Sequence, residues 1–150
     1  MKILFYFAIL AAVMMIPNQG TDVGKLLPVE VIAVSESGGK ITVRTDTGDW
    51  GEGETFESAF QDLKHTAPGI IYLDTAEYLL LEPGVKDSEQ LADYLKGSIQ
   101  VYRAKEEIPM EGIANYLLIH SSGICMKEIA NEGRIPTITE ENGRYQITEK

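Results

Sequence analysis

The sequence predicts an α+β domain: an open mixed β-sheet with three to four helices packed on it, preceded by one N-terminal hydrophobic helix. Three observations point that way. Alternating β-rich runs flank a Gly-Gly turn near the start, and a second pair flanks an Asn-Gly turn at the end. Between them, short apolar runs take turns with stretches of helical spacing. Hairpins at both ends with single strands and helices between them call for a mixed sheet.

The N-terminal element comes first. Lys2 precedes an unbroken apolar run from Ile3 to Ile16, and no charge appears before Asp22. As a helix that run is about 21 Å long, and the uncharged stretch to Gly20 about 27 Å, close to a hydrocarbon core of roughly 30 Å. The same basic start and apolar centre suit a signal peptide, but Met15, Ile16, Pro17, Asn18 and Gln19 offer no small-residue cleavage triplet. Residues 1–20 are therefore predicted as a membrane anchor, with a cleaved signal as the alternative. Residues 21–28 read as a tether and 29–150 as one domain. In both cases the domain lies outside the cytoplasm, with Lys2 on the inner side and residues 3–20 meeting the membrane.

Within the domain, Val29–Val34 and Ile41–Thr45 alternate around Ser37-Gly38-Gly39 as a hairpin. Asp46 to Gly53 reads as an acidic, Gly-rich loop holding the only tryptophan, Trp50. Thr55 caps a helix with Phe56, Ala59, Phe60 and Leu63 on one face, stopped by Pro68-Gly69. Ile70–Leu73 and Tyr78–Leu81 follow as strands. Asp87 and Gln90 resemble a capping box opening a helix through Leu95, with Gly97 as its cap. Ile99–Ala104 is a strand. Pro109 then opens a helix whose stripe is Met110, Ile113, Ala114, Leu117 and Leu118. A short helix over Cys125–Asn131 precedes the closing hairpin, Ile135–Thr139 and Arg144–Thr148 around Asn142-Gly143.

Composition narrows the function. With 13 basic against 23 acidic side chains the net charge is −10, and the basic residues are scattered. Such a surface is repelled by phosphate backbones and by anionic lipid headgroups, which argues against nucleic acid as a partner. The single cysteine, Cys125, sits between Ile124 and Met126 five residues from His120, a setting that suits a buried thiol better than a nucleophile with its base. The two histidines, His65 and His120, have no zinc-like spacing. Asp46, Asp49 and Glu52 lack the alternate-position ligands of a calcium loop, and the Gly48, Gly51, Gly53 stretch lacks the lysine of a phosphate cradle. Catalytic residues, cofactor and metal are accordingly expected to be none. Trp50, Gly51, Glu52 and Gly53 stand out as a candidate interaction loop, since packing explains them least.

Several stretches resemble the N-terminal domain of the Ger(x)C spore germination family. They are Asp22-Val23-Gly24-Lys25-Leu26 with Val29–Val34, and Gly51-Glu52-Gly53-Glu54-Thr55-Phe56 running on to Phe60. Ile71–Leu81, Leu91-Ala92-Asp93-Tyr94-Leu95 and Val101-Tyr102-Arg103-Ala104 complete the set. They cover roughly residues 22–118 in matching order. The chain departs from that family in lacking a lipoprotein cysteine and in its single domain. The resemblance implies a non-enzymatic role beside membrane or spore-envelope proteins, in sporulation or germination, and it carries over no catalytic residue. The expected function is a membrane-tethered, extracytoplasmic interaction domain. A small-molecule sensor with a pocket near Trp50, Tyr72 and Tyr78 is the first alternative, and a thiol-dependent hydrolase the second.

Overall fold

The computed structural model describes residues 23–86, 88–129 and 135–148. The expected anchor or signal segment, residues 1–20, lies outside the described residues, as does Asp87. Among the described residues no helix is long and apolar enough to cross a membrane.

The first hairpin pairs β2 (Val31–Ser37) with β3 (Lys40–Thr45) in antiparallel register, Val34 opposite Val43. Its two turn residues, Gly38 and Gly39, have φ of 60° and 79°, the left-handed pair a tight hairpin needs. A short turn then returns the chain as β4 (Trp50–Gly53) along β3. The stretch expected to be a loop is thus an edge strand over its second half. Thr55 caps α1 (Phe56–Thr66) through a capping box with Ser58, and the helix buries the four apolar positions expected of it.

β5 (Ile70–Tyr72) does not join the main sheet. It pairs in parallel with β1 (Leu26–Pro28), which lies within the stretch expected as a tether. β6 (Tyr78–Leu81) and β7 (Gln100–Ala104) lie parallel to β2 in the order β2-β6-β7. The segment between β6 and β7 forms a 3₁₀ run, Ser88–Asp93, in place of the expected α-helix. α2 (Ile113–Ile119) begins later than the sequence suggests, after Gly112 at φ 77°. Beyond it, β8 (Ile124–Cys125) pairs with the first half of β7 and β9 (Thr137–Glu141) with its end. β10 (Arg144–Thr148) closes the second hairpin through Asn142 (φ 56°) and Gly143 (φ 76°). The expected helix after Cys125 is a 3₁₀ turn over Met126–Glu128.

The full path is β10-β9-β7-β6-β2-β3-β4, a mixed sheet with apolar cover on both faces. Central strands buried on both sides read as continuous apolar runs, and Val31–Val34 and Tyr78–Leu81 are buried throughout. On one face Ile32, Val34, Leu79, Leu81 and Val101 pack against α1 and the 3₁₀ run. On the other, Val31, Ala33, Leu80 and Tyr102 pack against Ile113 and Leu117 of α2.

Candidate functional site

Trp50–Gly53 owes its conformation to α1. A Cβ at Gly51 would lie 2.5 Å from the Ala59 carbonyl oxygen and 2.6 Å from the Leu63 Cα. One at Gly53 would lie 2.5 Å from the Ala59 nitrogen. The glycines let the helix backbone rest directly on the strand, and neither has positive φ. Side chains of α1 then occupy β4's backbone groups. Glu52 N–H donates to Asp62 Oδ2 at 2.9 Å, and Thr66 Oγ1 donates to the Trp50 carbonyl at 2.9 Å. One edge of the sheet is thereby covered.

With Gly51 and Gly53 turned to α1, strand alternation sends Trp50 and Glu52 to the opposite face. There Trp50 stands opposite Arg44 and Glu52 opposite Thr42. Glu52 pairs with Lys40. Trp50 remains 54% exposed on this flank, beside half-buried Thr42. Arg44 is anchored from below by Glu82, whose carboxylate it meets at 2.6 Å, and reaches Glu107 at 2.8 Å. Glu82 is 4% exposed and also accepts the Ile108 N–H at 2.9 Å, so this buried charge is both paired and hydrogen-bonded.

The other candidates are dispersed. Asp46 accepts the Glu30 N–H, Asp49 accepts the Thr47 hydroxyl, and Glu52 pairs with Lys40, so the three carboxylates serve separate partners. Among the described residues no His, Cys, Asp and Glu grouping has the makings of a metal site. Cys125 is half-buried on β8, less enclosed than its apolar neighbours suggest, while the His120 ring lies over Tyr116 at 4.6 Å. Trp50 and Tyr72 are both exposed and do not line the cleft that Tyr78 lines.

That cleft, of about 440 Å³, opens where β2 and β6 begin, between the sheet and the end of α2. Pro28, Glu30, Glu77, Tyr78, Lys96 and Leu118 line it. Glu77 N–H donates to the Glu30 carbonyl at 2.9 Å, so the start of the parallel pairing sets the two residues side by side, and both line the cleft. Burial lifts the Tyr78 phenol above its ordinary value, and Glu77, Tyr102 and Glu30 add to the rise in that order. Of this group sequence reasoning named Tyr78, with other partners, and passed over Glu30, Glu77 and Lys96. The available signal was an acidic residue immediately before each of two apolar runs that become parallel neighbours.

Comparison of the chain with known protein families, curated proteins and solved structures finds no match.

Proposed function

We propose that this chain is a non-enzymatic, membrane-tethered interaction domain on the outer side of the membrane, and that it meets a protein partner on the open flank of its sheet around Trp50. Its setting, on the resemblance of residues 22–118 alone, is sporulation or spore germination. The observation that carries the contact surface is Trp50 itself, 54% exposed yet mounted on a strand clamped from behind by α1. A large aromatic presented to solvent from a braced strand is a frequent hot spot. Thr42, Arg44, Glu52 and Lys40 around it supply a polar rim. A sensor built on Trp50, Tyr72 and Tyr78 has weaker support, because Trp50 and Tyr72 are not among the residues that line the cleft at Tyr78.

The test uses Trp50→Ala in a pull-down from spore or mother-cell membranes, alongside thermal unfolding. We expect stability within about 0.5 kcal/mol of wild type, as for an exposed substitution, and partner affinity reduced roughly 30-fold, as for a hot spot of about 2 kcal/mol. Unchanged capture by the folded variant overturns the proposal.

A further inference from the structure

The cleft at the start of β2 and β6 combines features that the Trp50 surface leaves unused. Its charges are of both signs, and none of Glu30, Glu77 and Lys96 joins an ion pair among the described residues. Tyr78 is 4% exposed, lines the cleft, and its hydroxyl has no hydrogen-bond partner among the described residues. Glu30 and Glu77, joined backbone to backbone just before two neighbouring parallel strands, offer two like charges to one cation. Leu118, 67% exposed, forms an apolar wall, and Ile119 beside it is 75% exposed. The volume falls within the range of small-ligand sites.

The ligand these groups complement has an ammonium for the two carboxylates, an anionic oxygen for Lys96 and the tyrosine hydroxyl, and an apolar portion for Leu118. The chain's own course selects the source. Pro28, a wall of the cleft, ends β1, and the uncharged N-terminal stretch that runs to Gly20 precedes β1 by six residues, at most about 22 Å of extended chain. We propose that the cleft holds the zwitterionic headgroup of a membrane phospholipid of the ethanolamine type, its ammonium between Glu30 and Glu77 and its phosphate at Lys96, with Leu118 and Ile119 against the acyl region. The proposal rests on the tethered reading above. It also accounts for how an acidic domain sits close to a bilayer: an anionic lipid without an ammonium is repelled by the same two carboxylates.

The experiment takes the full-length chain in detergent micelles with equimolar phosphatidylethanolamine and phosphatidylglycerol, and reads retained lipid by native mass spectrometry. Expected is one retained phosphatidylethanolamine, preferred about tenfold, the weight of one charge-assisted hydrogen bond. Glu30→Gln with Glu77→Gln should erase that preference and Lys96→Ala should weaken it, with melting temperatures unchanged because the carboxylates are exposed. Equal retention of both lipids, or a preference that survives the double substitution, overturns the proposal. Binding of soluble glycerophosphoethanolamine with no retained lipid overturns the lipid assignment in favour of a free zwitterion. Flotation with phosphatidylcholine vesicles reads the tether separately. A chain that stays at the bottom overturns the tether and this proposal together; a floating chain without lipid preference overturns this proposal alone.

Discussion

Gly51 and Gly53 are defined by the atoms that oppose them. The nearest neighbours of an added Cβ include backbone atoms of α1, which no rotamer change can move aside. Gly51→Ala should therefore destabilise the domain by about 1–3 kcal/mol, the range for overpacking, as measured by urea unfolding. A loss below about 0.5 kcal/mol would mean that the helix shifts freely on the strand. Tyr102 is the buried counterpart. Its hydroxyl accepts N–H bonds from Ser122 at 3.0 Å and Gly123 at 2.8 Å and donates to Gln100. Burial raises its pKa from 10.0, against the lowering effect of those two N–H donors. The folded chain thus keeps the phenolic proton at a pH where the unfolded chain has lost it. The stability tied to this proton is complete below about pH 10 and drains away as pH climbs from there through the folded value. Tyr78 and Tyr145 shift the same way. Tyr102→Phe should flatten part of the alkaline decline measured between pH 9 and pH 11, and an unchanged slope would assign that decline to the other tyrosines.

At the scale of elements, the seam between α1 and β4 invites a direct test. Replacing Asp62 with Ala and Thr66 with Val releases the Glu52 N–H and the Trp50 carbonyl. Each lost bond should cost about 1 kcal/mol or more, and amide exchange at Glu52 should quicken while exchange in β2 keeps pace with global unfolding. Equal acceleration in both strands would show that α1 stabilises the whole sheet without guarding the edge. This seam also shows where sequence reading succeeds. Both hairpins were legible, because Gly38-Gly39 and Asn142-Gly143 are local solutions to a local demand. α1 was legible for the same reason, with its cap and stripe lying inside one short window. β4 was not, since Trp-Gly-Glu-Gly has no apolar alternation and its glycines answer to a helix that follows. The cleft was hidden likewise: Glu30 and Glu77 become neighbours only through the parallel pairing of β2 with β6. α2 lost its expected first turn to Gly112, and Leu118, placed on the apolar stripe by spacing, faces outward.

At the scale of the whole molecule, the sheet assigns different work to its parts. The centre is sealed on both faces by α1 and α2. The β3–β4 flank presents Trp50, and the end where β2 and β6 begin carries the cleft. Buried Glu82 ties the flank to the α2 face, linking Arg44 to the Ile108 backbone. Tyr145 does the same for the last hairpin, its hydroxyl lying 3.0 Å and 2.9 Å from the Pro109 and Glu111 carbonyls. The two margins of the sheet are unequal. β4 has Asp62 and Thr66 on its outward backbone groups, whereas β10 terminates the strand path with no described element alongside it. A sheet open at both margins can recruit copies without limit and grow into a fibre. With one margin blocked, two copies that join β10 to β10 leave this sheet no second open margin among the described residues, so growth along it halts at a pair.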